Sequence, residues 1–129
     1  MKRKNPPPII QEVGFDFHWD IKKVWALNYP VEEINISELS WHFDIPFWKT
    51  QNGYYDLTPN EVIKDKEKFK QEFERTMKAD LSHSIDIMQN KGKWLILDGL
   101  HRLVKAKILG YKKVSVRKIP RNEIPNIEK

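Results

Sequence analysis

The segment WLILDGLHRLVKAKILGYKKVSV, from Trp94 to Val116, constrains the fold more than any other part of the sequence. Its four opening apolar residues are typical of a short strand that is covered on both faces. The pair Asp98-Gly99 then predicts a sharp turn into a helix, and Gly110 is the residue type that most often follows a helix C-terminus. The closing residues VSV alternate between apolar and polar, as in a half-buried strand. The segment therefore predicts a strand, a helix and a second strand in succession.

Two further elements are predicted before this segment. SIDIM and WLIL are strand candidates separated by QNKGK, whose length and glycine predict a β-hairpin. Thr58, Pro59 and Glu61 have the residue types and spacing of a helix N-cap, a first helical residue and a capping box. The sequence predicts one helix from there. Its apolar, core-facing stripe comprises Val62, Phe69, Phe73 and Met77.

The N-terminal part is predicted to lie outside the main domain. MKRKNPPPII is basic and proline-rich and lacks the apolar run of a signal peptide, so we expect a disordered arm. FDFHWD, residues 15–20, alternates at the period of a strand, and IKKVWALNYP predicts a short helix or turn. We assign residues 1–27 to an N-terminal arm and extension. Residues 28–129 then form the domain, which opens with a short strand around Ile34–Ile36.

A long aromatic loop follows that first strand. Residues 41–55 carry most of SWHFDIPFWKTQNGYYDL, in which Asn52-Gly53 is a strong turn signal. Ordered loops of this length are often functional, but the aromatic side chains are equally typical of a satellite core. The sequence leaves both interpretations open.

The composition fits one globular domain. A chain of 129 residues with 40% hydrophobic residues can bury one sizeable core, and the predicted elements give an α/β (α+β) fold with a small mixed β-sheet and a few packed helices. The absence of cysteine excludes disulfides and thiolate chemistry and suits a reducing compartment. No run approaches the ~18 apolar residues of a membrane span, so we expect a cytoplasmic protein without a membrane partner.

Charge is distributed unevenly along the chain. The net charge of +5 and the pI near 9.3 favour acidic or phosphate-bearing partners. Between Gly99 and Asn122 there are eight basic residues and no acidic one. DNA is one candidate partner for this basic face. Its candidate contacts are Lys105, Lys112, Lys113 and Arg117, and the alternative is that these are ordinary solvated side chains.

The turn at Gly99 is also a candidate anion site. A strand, a glycine and a helix start direct unpaired N–H groups and the positive end of the helix dipole to one point, and glycine lets a phosphate approach closely. Arg102 can clamp a phosphate with two hydrogen bonds, and His101 can donate a proton or a hydrogen bond. The alternative is a plain Asp-Gly turn followed by a solvated histidine.

Candidate catalytic groups are His101 and two carboxylates. Asp98 at the strand end can bind Mg²⁺ through water, and Glu38 at the exit of the first strand is a candidate base, or alternatively a surface carboxylate. No two histidines have the spacing of metal ligands on a helix, so no metal site built by the protein alone is predicted. The histidines are His18, His42, His83 and His101.

ILDGLHRLVKAKILG, preceded by SIDIMQNKGKW and followed by VSVRKIP, resembles the ParB/sulfiredoxin superfamily over Ser84 to Pro120. The resemblance implies a single-domain, ParB-like member that binds ATP or CTP with Mg²⁺ through its phosphates. The implied phosphate-binding residues are Gly99, Leu100, His101 and Arg102. Sulfiredoxins have a catalytic cysteine at the position of Leu100, so their repair chemistry is excluded here.

The other branches of the superfamily leave two classes of function open. Chromosome-partition members bind CTP and continue into DNA-binding and dimerisation segments, which we do not expect in this chain. Free-serine kinases have an Asp-Gly-His-His-Arg motif, which DGLHR resembles except that Leu100 replaces the first histidine. One class is thus an ATP-dependent phosphotransferase or nucleotide hydrolase. The alternative is a non-catalytic nucleotide- or DNA-binding module.

Overall fold

The computed structural model describes residues 6–51 and 53–129. In that part of the chain, four strands form one mixed sheet accompanied by six α-helices, which confirms the predicted small α/β fold. The strands are β1 (Val31–Asn35), β2 (Ile85–Asn90), β3 (Lys93–Asp98) and β4 (Lys113–Lys118). The helices are α1 (Pro8–Val13), α2 (Ile21–Trp25), α3 (Pro59–Lys64), α4 (Lys70–Met77), α5 (Leu100–Ile108) and α6 (Ile124–Ile127). None of these helices combines the length and the apolar composition that crossing a membrane requires.

The sheet has the strand order β1-β4-β2-β3. β2 and β3 form the predicted antiparallel hairpin, and its turn residues Lys91 and Gly92 both have positive φ angles. β4 is parallel to β2 and antiparallel to β1. Asp86 on β2 is therefore flanked by Asp98 on β3 and by Arg117 on β4. The end of β3, where α5 begins, lies beside the start of β2.

Helix α5 connects β3 to β4 and has the predicted boundaries. It starts after Gly99, which has a φ of +115°, and ends before Gly110, which has a φ of +84°. The Gly110 N–H donates to the Lys107 carbonyl and the Tyr111 N–H donates to the Ala106 carbonyl, both at 3.0 Å. These two bonds form a Schellman motif, which pairs carbonyls that the helix end leaves free.

The predicted single helix after Thr58 is wrong, because the chain forms two helices. The capping box is present: the Thr58 hydroxyl accepts from the Glu61 N–H, and the Glu61 carboxylate accepts from the Thr58 N–H. At Asp65, however, the side chain accepts a hydrogen bond from the Lys68 N–H at 3.1 Å. Such a bond favours a turn over a continued helix. Helix α3 therefore ends at Lys64, and α4 begins at Lys70.

The predicted strand at residues 15–20 is also wrong. Only Trp19 makes a β-bridge there, with Glu128. Phe15, Phe17 and Trp19 instead form a cluster with ring centroids 5.1–5.8 Å apart. In an extended strand these three rings would share one face, but the first and last would lie about 13 Å apart. The contact between Phe15 and Trp19 therefore requires a more compact backbone, which the alternating sequence pattern did not reveal.

The N-terminal extension lies on the domain. Residues 1–5 of the predicted arm lie outside the described residues. Pro8–Val13 forms α1, so this part of the N-terminus is helical, contrary to the expected disorder. The Asn90 side chain donates to the carbonyls of Val13 and Gly14, both at 3.0 Å. Val24 on α2 is fully buried, in a second core cluster with Met88, Leu97, Ile119 and Ile127.

The aromatic loop contributes to the main core, which is one of the two interpretations that the sequence left open. Phe43 and Trp48 are buried there, and His42 is buried beside them. Trp48 also pairs with Leu57 in an isolated bridge. The predicted turn at Asn52-Gly53 includes Asn52, which lies outside the described residues.

Candidate functional site

The candidate site begins at the turn between β3 and α5. A Cβ atom on Gly99 would lie 3.2 Å from the Cα of Ile85, and the φ of +115° is one that other residues rarely adopt. The first hydrogen bond of the helix joins the Leu103 N–H to the Gly99 carbonyl at 3.0 Å. The N–H groups of Leu100, His101 and Arg102 precede that bond and belong to the first helical turn, which lacks intrahelical acceptors. The turn is therefore specific to glycine and presents backbone donors.

A cleft of about 270 Å³, here called the α5 cleft, lies at this helix start. It combines three permanent cations, Arg75, Lys78 and Arg102, with the carboxylates Asp80 and Asp98. Its other lining residues are Ala79, Gly99, Leu100 and His101. Arg75 lies on α4, Lys78 directly follows α4 and Arg102 lies on α5, so the packing of these two helices brings the three cations into one cleft with the start of α5.

Arg102 is fixed by the fold and is only 19% exposed. Its Nη1 donates to the Ser84 carbonyl at 2.8 Å, and its Nη2 lies 3.6 Å from Asp98 Oδ2. A guanidinium has five N–H donors, so these contacts leave others for an anion. The side chain thus holds the turn together as well as lining the cleft.

His101 is oriented by two residues that the sequence analysis did not identify as site residues. Its Nε2 lies 3.0 Å from Glu72 Oε1, and its ring stacks on Trp48 with centroids 4.8 Å apart and planes 15° apart. An ionised carboxylate only accepts hydrogen bonds, so Nε2 carries the proton and donates to Glu72. Glu72 also forms an ion pair with Arg75 at 3.2 Å. The aromatic loop gave a weak signal for Trp48, whereas nothing distinguished Glu72 from the other charged residues of its helix.

Asp98 has a partner that the sequence analysis also missed. Its Oδ2 accepts a hydrogen bond from the Trp25 indole N–H at 2.8 Å and faces Arg102. Within residues 6–51 and 53–129, no group of three or more histidine, aspartate or glutamate side chains is arranged to hold a metal ion. A magnesium ion at Asp98 would therefore need water and phosphate oxygens as its remaining ligands, which is its usual coordination in phosphate sites.

Glu38 is not brought to Asp98. It ends a 3-10 helix, Ile36–Glu38, and the Ile36 N–H donates to the Lys112 carbonyl at 2.8 Å. Lys112 follows the C-terminus of α5, a nine-residue helix about 13 Å long, whereas Asp98 precedes its N-terminus. β1 and β3 are also the two outer strands of the sheet. The strand directions bring the ends of β1 and β3 to the same edge of the sheet, but the two carboxylates lie at different ends of α5.

The predicted basic face divides into two kinds of residue. Lys112 and Lys113 are exposed. Lys105 donates to the Ala79 carbonyl at 2.7 Å. Arg117, which was predicted to contact nucleic acid, is only 12% exposed, and the fold already pairs its guanidinium with Asp86. The alternating pattern of β4 correctly predicted that Arg117 points to the face of the sheet away from the core valines. That face is not open to solvent at Arg117, because α2 and its flanking loop cover it.

A second cleft, of about 480 Å³, adjoins the first. It is here called the Trp25 cleft, and it shares Asp98 and Arg102 with the α5 cleft. Its other lining residues are Trp25, His83, Ser84, Asp86 and Arg117. The N-terminal extension therefore forms one wall of this second cleft.

In comparisons with known proteins, no family model, no curated protein and no solved structure matches this chain.

Proposed function

We propose that this chain binds a nucleotide, ATP or CTP with Mg²⁺, through its phosphates in the α5 cleft. The observation that carries the proposal is Gly99, whose conformation exposes the start of α5 beside three permanent cations. Free N–H groups and the helix dipole favour an anion at this position. A turn that binds no ligand would need neither the close approach of Gly99 to the Ile85 backbone nor the cations that α4 and the residue after it supply.

Each residue of the predicted motif has a role in this proposal. The N–H groups of Leu100 and His101 donate to phosphate oxygens, and Gly99 allows the turn to pack against Ile85 with the φ angle that starts the helix there. Arg102, held by Ser84 and Asp98, supplies a preorganised charge. Lys78 and Arg75 line the same cleft and add positive charge to it.

The resemblance to the ParB/sulfiredoxin superfamily supports the same site. Gly99, His101 and Arg102 lie at the start of α5, and the resemblance implies phosphate binding at these three residues. Leu100 in place of the sulfiredoxin cysteine excludes sulfiredoxin repair chemistry. We therefore propose a single-domain, ParB-like member whose ligand is a nucleotide.

A phosphotransferase or nucleotide hydrolase is the catalytic form of this proposal. Asp98 would bind Mg²⁺ and His101 would contact the transferred phosphate. Nucleotide binding is better supported than catalysis, because Glu38 lies at the other end of α5 and Asp98 already accepts a hydrogen bond from Trp25. A non-catalytic nucleotide-binding module is the alternative, and product formation separates the two.

Thermal unfolding with a ligand panel tests the proposal. We expect the preferred nucleotide among ATP, ADP, CTP and GTP to stabilise the protein with Mg²⁺ present, by about 2.7 kcal/mol at one hundred times its Kd. Lys78→Ala should weaken this effect, because Lys78 is exposed and lines the cleft. Lys64→Ala, an equally exposed lysine outside both clefts, is the matched control. No stabilisation by any of the four nucleotides would reject the proposal.

A further inference from the structure

Trp25 is a large aromatic side chain that the fold leaves exposed. It is 56% exposed at the end of α2 and lines the Trp25 cleft. Single exposed apolar residues are common on protein surfaces, so exposure alone does not assign a role to Trp25. What distinguishes Trp25 is that its ring lines a cleft and that its N–H is already bonded, which leaves the ring face for a ligand.

The Trp25 ring is held in place although it is exposed. Its indole N–H donates to Asp98 at 2.8 Å. The helix that carries it begins with Asp20, whose side chain accepts from the Lys22 N–H at 2.9 Å. At the other end, Arg117 donates to the carbonyls of Val24 and Leu27. A rigid aromatic face loses little conformational entropy when a ligand stacks on it.

The position of this ring relative to the α5 cleft indicates what it contacts. Asp98 and Arg102 line both clefts, so the two clefts adjoin, and a ligand with its phosphates at the start of α5 can reach the Trp25 cleft. The volume of about 480 Å³ lies within the usual range for small-molecule sites, roughly 300–1,000 Å³. Ser84 and His83 add polar groups to the same wall.

We propose that Trp25 is the stacking platform for the base of the nucleotide whose phosphates bind in the α5 cleft. This inference rests on the proposed function and adds the base-binding half of the site. A purine or pyrimidine ring stacks on the exposed indole face, while the indole N–H stays bonded to Asp98. The N-terminal extension thus belongs to the nucleotide site.

Calorimetric titration with two ligands tests this inference. The ligands are the nucleotide preferred in the thermal panel and inorganic tripolyphosphate, which has the phosphates but no base. We expect Trp25→Ala to weaken nucleotide binding about 5- to 150-fold more than it changes tripolyphosphate binding, because loss of the bond to Asp98 acts on both ligands whereas loss of the ring acts only on the nucleotide. Trp25→Phe should retain most of the nucleotide affinity, because it keeps an aromatic face. Tyr111→Ala, which removes a comparably exposed aromatic residue outside both clefts, is the control.

The outcomes distinguish this inference from the proposed function. Equal nucleotide affinity in wild type and Trp25→Ala, with tripolyphosphate still bound, would overturn the stacking role and leave the phosphate site standing. Failure of wild type to bind either ligand would overturn both. If Trp25→Ala unfolds, Trp25→Phe and the change in tryptophan fluorescence on nucleotide binding decide the question. A change that persists undiminished in Trp25→Phe overturns the inference.

Discussion

Arg117 donates from Nε to Asp86 Oδ1 at 2.7 Å, across neighbouring strands of the sheet. The same guanidinium donates to the carbonyls of Leu27 at 2.6 Å and Val24 at 3.0 Å. Val24 lies within α2 and Leu27 just beyond it, where free carbonyls need donors. One side chain thus joins the centre of the sheet to the N-terminal extension.

Loss of Arg117 should therefore destabilise the protein strongly. We expect Arg117→Ala to lower the free energy of unfolding by about 3–5 kcal/mol, because it leaves the buried Asp86 carboxylate unpaired. Urea denaturation measures this change. Lys113→Ala, on the same strand but exposed, should change stability by no more than about 0.5 kcal/mol. A similarly small effect of Arg117→Ala would contradict this role.

Gly99 should tolerate alanine less well than Gly110 does. Both have positive φ angles, but only Gly99 has atoms within 4 Å of an added Cβ. We expect Gly110→Ala to cost about 1–2 kcal/mol from its backbone conformation alone. Gly99→Ala should cost more, because its Cβ would also meet the Ile85 backbone. Chemical denaturation of the two variants makes the comparison, and equal costs would show that the close approach at Gly99 is unimportant.

His42 should make stability depend on pH. Burial lowers its pKa to about 4, while its Nδ1 lies 2.8 Å from the Leu39 carbonyl and its Nε2 accepts from the Ile96 N–H. In the unfolded chain its pKa is near 6.5, so between these values the unfolded state binds more protons. The stabilisation is complete above pH 6.5 and is lost as pH falls towards 4, by roughly 2–3 kcal/mol at pH 4.5.

His42→Phe isolates this contribution. The variant should be less stable than wild type at pH 7, because the Ile96 N–H loses its acceptor and the Leu39 carbonyl keeps only the backbone N–H of residue 42. The variant should lose less stability than wild type between pH 7 and 4.5, since it lacks the titrating imidazole. Urea unfolding at the two pH values measures both effects. Parallel pH dependences in wild type and variant would rule out His42 as the source.

Local signals in the sequence predicted the elements that a few neighbouring residues determine. The capping box at Thr58 is encoded within four residues, and the glycine at position 110 is sufficient to form the Schellman motif. The hairpin turn at Lys91 and Gly92 is similarly local. The turn at Gly99 is also encoded by adjacent residues, so the backbone part of the candidate site could be predicted from the sequence.

The side-chain part of the site depends on contacts between distant residues, which the sequence patterns do not encode. Trp25 and Asp98 are 73 positions apart, and Arg117 and Leu27 are 90 positions apart. When the segment that packs on a strand is unknown, a charged residue of that strand is predicted to face water. Arg117 was therefore predicted to be a surface cation, but the N-terminal extension packs over it.

The remaining exposed lysines give a separate prediction for DNA. If Lys112 and Lys113 contact a nucleic-acid backbone, duplex affinity should fall steeply with salt and show little sequence preference. Replacing both with alanine should then reduce the salt slope by about 2, whereas replacing Lys64 and Lys66 should not. Fluorescence anisotropy at several salt concentrations measures the slope. No binding of wild type at low salt would assign the lysines to ordinary solvation.

Phosphate binding by the backbone N–H groups at the start of α5 can be observed directly by NMR. Amide chemical shifts in ¹⁵N-labelled protein, titrated with the preferred nucleotide and Mg²⁺, report on these groups. We predict that the largest shift changes fall on Gly99, Leu100, His101 and Arg102 and that tripolyphosphate reproduces them. Unchanged amide shifts at these four residues under saturating nucleotide would contradict phosphate binding at this helix start.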